Sequence, residues 1–294
     1  MMTLDDHLEE YKRNGFTIFR GYMPPERVAE WRSALDPEFD RLFPKRPDAP
    51  RARIVPLLGH EATRPLARDH ITNSVMLDFA ERVMGPYVQL DSFEVSGFPI
   101  REPGLKNHID RWHRDAFNVT GTWANYKLTY EQGLRPYTPP LACNCITYLQ
   151  DMTPETGPLR VVPGSHLDYT EIPKENEFKP HPREQLVSLK AGDMVFTHNE
   201  LLHSGTWNIS NEYRYFLSVY VCRIGLPHRD TFDLPAIHEI LDKARNRKDL
   251  RILRLFAEDN RFQEREETAW HEMVEEDRRV LKSGSCSADS KDGG

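Results

Sequence analysis

The 294-residue sequence has few cysteines, no long apolar segment and no excess of basic charge. Its four cysteines are too few for a small disulfide-stabilised scaffold, and Cys143 and Cys145 lie on one face of an apolar run, as core residues do. No stretch of about 18 apolar residues is present that could form a transmembrane helix. The net charge of −7 gives the chain none of the basic character typical of nucleic-acid-binding proteins.

The N-terminal residues also lack the basic start and the apolar centre of a secretory signal peptide. Together with the low cysteine content, this predicts a cytoplasmic protein that has neither a membrane nor a nucleic acid as its partner. Proline, in contrast, is abundant, with 22 residues. Such a proline content favours a chain with many loops and turns over a helical bundle.

Helical patterns occupy the two ends of the chain. Thr3 and Asp6 form a capping-box pattern, and Gly15 is a typical helix-ending residue. With the apolar spacing that follows, the predicted N-terminal helices span 4–14, 25–43 and 74–85. A charged amphipathic stretch from residue 234 predicts further helices near the C-terminus, and the apolar-poor stretch 283–294 predicts a disordered tail.

Strand patterns fill the middle of the chain. A first strand is predicted at 16–22, and the later apolar or alternating runs span 86–99, 141–150, 159–162, 186–189, 193–198 and 214–224. Several short strands with irregular connections predict an antiparallel sandwich or barrel. Residues 44–60 predict a loop, and the aromatic-rich insertion 116–140 predicts either a lid or irregular structure.

Two His-x-Asp triplets in the segment HIDRWHRDAF are the first chemical signal. His108 and Asp110 form one pair, and His113 and Asp115 form the other. Residues two apart on a strand point to the same face, so either pair could supply two of the three ligands of a facial iron(II) site. The residues alone leave the choice between the two pairs open.

His203 is the candidate third ligand, because it follows an apolar strand and precedes another strand that begins at Arg214. Arg214, Phe216 and Ser218 share one face of that strand. A buried arginine is costly without a partner, and its guanidinium binds a carboxylate in a bidentate fork. Arg214 is therefore a candidate anchor for 2-oxoglutarate, although a structural ion pair is the alternative.

At this point the sequence resembles the phytanoyl-CoA dioxygenase family of iron(II)/2-oxoglutarate oxygenases. The resemblance rests on four segments that occur in order over about residues 11–224: YKRNGFTIFRGYMPPERVAEWRSAL, WHRD, YLQDMTPETGPLRVVPGSH and AGDMVFTHNELLHSGTWNISNEYR. It implies a mostly β fold with flanking helices, a double-stranded β-helix or cupin-like jelly roll. The implied single oxygenase domain covers 1–282, with its β core at about 86–224.

The resemblance also implies roles for particular residues. His113, Asp115 and His203 become the ligands of Fe(II), and Arg214 becomes the anchor of the co-substrate 2-oxoglutarate, with O2 as the second co-substrate. Trp112 matches the aromatic or apolar residue that precedes the family's first metal motif. The first His-x-Asp pair then belongs to a polar loop or strand start, or hydrogen-bonds substrate or co-substrate.

The group that assists Arg214 stays open. The family commonly has a serine two residues after the distal histidine, where this sequence has Gly205. Thr206 or Ser218 could supply the missing hydroxyl. Asn144 could face the site, or it could be a hydrogen-bonded residue of the core.

The implied function is a dioxygenase that hydroxylates, or otherwise oxidises a C–H bond of, a small-molecule metabolite, and releases succinate and CO2. The alternative is a metal-binding jelly roll without oxygenase turnover, either a sensor or a redox-neutral enzyme. The carboxylate at Asp115 favours oxidation over halogenation, because halogenases of this kind carry a small residue there. Basic residues near the first motif could bind an anionic substrate or could simply be solvated: Arg101, Lys106, Arg111, Arg114 and Lys127.

Overall fold

A computed structural model of the protein has a β core flanked by helices. It describes residues 2–45, 51–100, 108–115, 137–168, 172–223 and 234–259. The helices are α1 (Leu4–Asn14), α2 (Pro25–Leu42), α3 (Arg64–Ile71), α4 (Ser74–Met84), α5 (Pro235–Arg247) and α6 (Leu250–Leu255). Within these described ranges, no helix has the length and apolar character needed to cross a membrane.

The strands form two antiparallel sheets. They are β1 (Phe16–Phe19), β2 (Ala52–Ile54), β3 (Val88–Phe98), β4 (Ala142–Tyr148), β5 (Leu159–Val161), β6 (Gln185–Val187), β7 (Met194–His198), β8 (His203–Ser204) and β9 (Arg214–Arg223). The larger sheet has the order β1-β7-β4-β9-β3-β2, and the smaller has the order β6-β5-β8. This arrangement, mostly antiparallel sheet with flanking helices, confirms the predicted jelly roll.

The larger sheet is covered on both faces, which is why every residue of β3 and β4 is buried. The helices cover one face: Trp31, Leu35 and Phe39 of α2 lie at helical spacing and are fully buried. On the other face, Ile146 packs with Leu159 of the smaller sheet. The larger sheet therefore packs against helices on one face and against the smaller sheet on the other.

The predicted N-terminal helices are confirmed to within one residue. The capping box is present at the first of them, where Thr3 Oγ1 accepts a hydrogen bond from Asp6 N and the Asp6 carboxylate accepts one from Thr3 N. The predicted strands are present but shorter.

The prediction of a loop over 44–60 is wrong at Ala52–Ile54, which forms β2. Three residues carry too little periodicity to be recognised, and this strand exists because Ala52 pairs with Gly97 of β3. The first strand also ends at Phe19, short of the predicted residue 22. Long-range pairing decides both boundaries.

Some predictions lie outside the described residues. They concern the insertion at 116–136, the C-terminal helical stretch beyond residue 259 and the tail at 283–294. The domain extent of 1–282 accordingly stays a prediction.

Gly97 gives a test of how tightly the helical layer packs on the sheet. A Cβ at this position would lie 2.2 Å from the Phe39 ring, and Phe39 is fully buried. We expect Gly97→Ala to lower the free energy of unfolding by about 1–3 kcal/mol, the usual range for overpacking. Chemical denaturation followed by circular dichroism measures this.

Gly59→Ala is the matched control, because its added Cβ would meet ordinary contacts of 3.5 Å or more. It should leave stability unchanged or slightly raised. Equal destabilisation by the two substitutions would contradict the proposed clash with Phe39.

Candidate active site

The second His-x-Asp pair meets His203 at one end of the space between the sheets. Ligand atoms of His113, Asp115 and His203 all lie within 4.8 Å of one another. His113 Nε2 is 3.7 Å from Asp115 Oδ1, and His203 Nε2 is 3.7 Å from Asp115 Oδ2. The three residues have the composition and spacing of a facial two-histidine, one-carboxylate metal site.

Backbone pairing brings the two histidines together. His113 N donates to His203 O at 2.9 Å, and His203 N donates to His113 O at 3.0 Å. A second bridge between Ile109 and Thr206 extends this antiparallel pairing. The segment that carries the His-x-Asp motif thus continues the smaller sheet beyond β8, and its register sets the site.

The histidine rings are oriented for metal binding by their Nδ1 atoms. His113 Nδ1 is 2.9 Å from Arg111 O, and His203 Nδ1 is 3.0 Å from Leu201 O. A carbonyl oxygen only accepts hydrogen bonds, so each Nδ1 must carry the proton. Each Nε2 is then the atom with a free lone pair, on the side where Asp115 lies.

The protonation state of His113 also suits a ligand. Burial, and then the charge of His203, lower the pKa of His113 to about 4. The side chain keeps 43% of its surface accessible, which weakens the effect of burial. Even at an ordinary histidine pKa of about 6.5, the ring would be mostly neutral at physiological pH.

Asp115 is held as a carboxylate by its neighbours. Burial raises its pKa, but His203, His113 and hydrogen bonds from Tyr220 and Asn144 outweigh that effect and keep the pKa below its usual value. The Tyr220 hydroxyl lies 3.2 Å from Asp115 Oδ2. The negative ligand is therefore ionised and oriented before any cation arrives.

Asn144 hydrogen-bonds the Asp115 carboxylate, and Ser218 hydrogen-bonds Asn144. Ser218 Oγ donates to Asn144 Oδ1 at 2.7 Å, which orients the amide so that its nitrogen is available to Asp115. Both residues line the cavity, as expected from their strand faces. Their hydrogen bonds lead to Asp115. The sequence left open whether Ser218 assists Arg214 and whether Asn144 faces the site, and a role of either at the co-substrate stays a prediction.

Arg214 is buried, and only part of its guanidinium is satisfied. Nη1 donates to the carbonyl oxygens of Thr156 at 3.2 Å, Gly157 at 2.6 Å and Thr206 at 2.5 Å. The guanidinium carbon lies 3.6 Å from the centroid of the Phe98 ring. Nε is buried and has no hydrogen-bond partner, and within the described ranges no carboxylate pairs with this arginine.

A buried guanidinium in this state can bind a carboxylate. Burial lowers the pKa of Arg214 to about 10, so the group remains charged at neutral pH. Gly157 makes its close approach possible: a Cβ there would lie 2.8 Å from Arg214 Nη1, and the residue has a φ of +83°. The donor left without a partner and the uncompensated charge fit the carboxylate of 2-oxoglutarate.

Thr206 has a different contact from the predicted one. Its hydroxyl accepts a hydrogen bond from Arg160 Nε at 2.8 Å, and Arg160 also pairs with Glu184. Its carbonyl oxygen, rather than its hydroxyl, meets Arg214. Thr206 is thus part of the wall that holds Arg214.

Tyr148 was not singled out as a site residue by the sequence, although the strand pattern places it on the face of Asn144. It lines the cavity and is 4% exposed. Burial raises the pKa of Tyr148 to about 12, and the charge of Arg214 acts in the opposite direction. Its hydroxyl therefore stays protonated close to the guanidinium.

Asp110 explains why this chain has glycine at position 205. Asp110 Oδ1 accepts a hydrogen bond from Trp207 Nε1 at 2.9 Å, and a Cβ on Gly205 would lie 2.6 Å from Asp110 Oδ2. The Asp110 carboxylate occupies the space that a side chain at position 205 would need. The first His-x-Asp pair is therefore separate from the metal candidates, but Asp110 is part of the cavity wall.

These residues share one cavity of about 600 Å³. The three metal-ligand candidates and Arg214 all line it. Its apolar surface includes Ile146, Leu159, Phe178 and Phe216, and its remaining charged residues are Arg51, Arg53, Glu94, Asp110, Arg111 and Arg114. A small molecule of mixed polarity would fit beside a bound co-substrate.

We expect Gly205→Ser to lower the free energy of unfolding by about 1–3 kcal/mol, because the serine side chain would displace Asp110 from Trp207. Thermal denaturation measures the change. The same substitution in an Asp110→Ala background should cost less, since the colliding carboxylate is gone. Additive effects of the two substitutions would contradict the proposed contact.

Comparisons with known proteins agree with this geometry. The family model described as Phytanoyl-CoA dioxygenase (PhyH) matches residues 11–216, more than half of the chain. The matched range includes the three metal-ligand candidates and Arg214.

Individual relatives are more distant. The chain is 24% identical to the dioxygenase FrzG of Cladobotryum sp, covering 80% of this chain and 79% of that protein. It is also 24% identical to the ectoine dioxygenase of Bordetella parapertussis, covering 70% of each. Among solved structures, the epimerase SnoN in complex with Fe3+, alpha ketoglutarate and nogalamycin RO matches with a TM-score of 0.54 and 21% identity. That match covers 79% of this chain and 90% of SnoN, and it shows a shared fold.

Proposed function

The chain belongs to the phytanoyl-CoA dioxygenase family, and we propose that it oxidises a C–H bond of a small-molecule metabolite, most simply by hydroxylation. Family membership confirms the expected enzyme class, a non-haem iron dioxygenase that uses iron(II), 2-oxoglutarate and O2. The observation that carries the proposal is one cavity in which His113, Asp115 and His203 converge and Arg214 has an unused buried donor.

Three residues of the cavity would bind the iron ion. His113 and His203 would bind iron through Nε2, and Asp115 would bind it through a carboxylate that Tyr220 and Asn144 orient. Three ligands on one face leave positions for the co-substrate and oxygen. Iron and 2-oxoglutarate supply the oxidising power when bound, while the protein positions the reactants and excludes water.

Arg214 would receive the far carboxylate of 2-oxoglutarate. The Nε donor without a partner and the adjacent Tyr148 hydroxyl are the groups available for it. A metal-binding protein without turnover would have no need for a charged, partly satisfied guanidinium in the same cavity, because an unpaired buried charge is costly. A cytoplasmic location and a substrate other than a nucleic acid stay predictions.

The choice between the two His-x-Asp pairs can be tested by metal binding. Asp115→Ala should abolish high-affinity binding of Fe(II) under anaerobic conditions, because it removes the only anionic ligand of the proposed site. Asp110→Ala should leave that affinity within about threefold, since Asp110 contacts Trp207 and not the metal candidates. Isothermal titration calorimetry measures both, and the reverse pattern would assign the site to the first pair.

The role of Arg214 can be tested through the co-substrate. Anaerobic addition of Fe(II) and 2-oxoglutarate should produce a weak visible charge-transfer band. Arg214→Ala should weaken 2-oxoglutarate binding by roughly 10- to 100-fold, as expected for lost hydrogen bonds to a charged group. His203→Ala should remove the band.

Arg27→Ala is the matched control for these variants, because Arg27 lies exposed on α2 and pairs with Glu30. It should retain both the band and succinate production. If Arg214→Ala and His203→Ala also retain them, the assignment of the site is wrong. Mass spectrometry of the product of a metabolite screen then separates hydroxylation from other C–H oxidations.

A further inference from the structure

The cavity contains more positive charge than the proposed iron and 2-oxoglutarate sites require. Five arginines line it: Arg51, Arg53, Arg111, Arg114 and Arg214. Arg214 is accounted for by the co-substrate, and Arg114 Nη1 donates to the carbonyl oxygens of Ser165 and Glu200. Arg53 pairs with Glu94 at 3.3 Å. Two guanidinium groups remain to be explained.

Those two are Arg51 and Arg111. Neither side chain has a hydrogen bond or an ion pair with any residue in the part of the chain that the structure describes. Of the acids on the cavity wall, Glu94 pairs with Arg53 and Asp110 accepts a hydrogen bond from Trp207, and neither forms an ion pair with Arg51 or Arg111. Lining arginines that lack a protein partner are suited to bind a ligand carboxylate or phosphate.

The position of Arg51 follows from the pairing of β2. Ala52 and Ile54 are buried in the core, so the alternation of the strand turns Arg53 to the opposite face, and Arg51 lies two residues before Arg53 on that same side. Both arginines line the cavity. Strand β2, which the sequence patterns did not predict, thus places Arg53 and the preceding Arg51 on the cavity wall.

Arg51 lines the same cavity as His113 and Arg214. The pKa of Arg51 itself is lowered by partial burial and by Arg53, while Asp110 and Glu94 act to raise it.

We propose that Arg51, assisted by Arg111, binds an anionic group of the substrate, a carboxylate or a phosphate. This inference rests on the proposed function, since it assumes that the substrate is oxidised at the iron site. 2-Oxoglutarate itself does not need Arg51, because one carboxylate would chelate iron and the other would meet Arg214.

The rest of the substrate has apolar surface. Phe178 lines the cavity although 61% of the residue is exposed, and Ile146 and Phe216 line the cavity deeper in. An exposed aromatic ring beside unpaired arginines matches an amphipathic acid better than a sugar or a cation. The predicted substrate class is an organic anion with an apolar body.

Binding of radiolabelled sulfate tests the anion site without knowledge of the substrate. Equilibrium dialysis is done with the anaerobic protein saturated with Fe(II) and 2-oxoglutarate, so that Arg214 is occupied. Wild-type protein should bind one sulfate saturably, and Arg51→Gln should weaken this binding by roughly 10- to 100-fold. Arg51→Lys should restore part of it, and the surface variant Arg27→Gln should match wild type.

Competition distinguishes the two anion chemistries. Displacement of sulfate by acetate at lower concentration than by inorganic phosphate would assign a carboxylate, and the reverse order would assign a phosphate. Absence of saturable sulfate binding in wild type would overturn the proposal, as would binding that Arg51→Gln leaves unchanged.

The charge-transfer band separates this test from that of the proposed function. Arg51→Gln should keep the band and its 2-oxoglutarate dependence. Loss of the band in Arg51→Gln alone would make Arg51 a co-substrate ligand and overturn the inference, whereas absence of the band in wild type would overturn the proposed function itself.

Finally, a metabolite screen should yield acids whose methyl esters release at least about tenfold less succinate. Equal succinate release from an acid and its methyl ester would contradict the prediction that the substrate is an organic anion.

Discussion

The reciprocal backbone hydrogen bonds between His113 and His203 are the constraint on which the site depends. They join the short described segment 108–115 to the smaller sheet. Because this pairing sets which residues of the His-x-Asp segment face the cavity, it brings Asp115 to the two histidines and leaves Asp110 beside Gly205. A shift of one residue would turn every side chain of the segment to the other face.

Asp115 and Arg214 differ in how fully neighbouring groups satisfy their charges. Asp115 is supported on several sides, by Tyr220, by Asn144 and through Asn144 by Ser218. Arg214 is supported by backbone carbonyls but keeps a buried donor without a partner. The Asp115 carboxylate is thus preorganised, whereas the Arg214 guanidinium is left partly unsatisfied. Under the proposed function, binding of the 2-oxoglutarate carboxylate at Arg214 would relieve that electrostatic cost.

The cavity combines the proposed metal and co-substrate residues with further charged side chains on its wall. The three metal-ligand candidates and Arg214 lie within the range that the family model matches, residues 11–216. Arg51 comes from the edge strand β2, and the Asp110–Gly205 contact departs from the family's common serine. Neither feature alters the three metal-ligand candidates, and the same fold can carry different functions when the residues around a site differ.

The sequence by itself determined the fold class and the boundaries of α1, α2 and α4, and with the family resemblance it predicted the four residues of the proposed iron and co-substrate sites. These follow from short-range signals: a capping box, helical and strand periodicity, and motifs in a recognisable order. Only the tertiary structure decided that Asn144 and Ser218 support Asp115, that Thr206 meets Arg214 through its carbonyl, and that Arg51 enters the cavity. Each of these depends on which strands lie side by side, because hydrogen-bond partners far apart in sequence are chosen by sheet register, and no local pattern encodes that register.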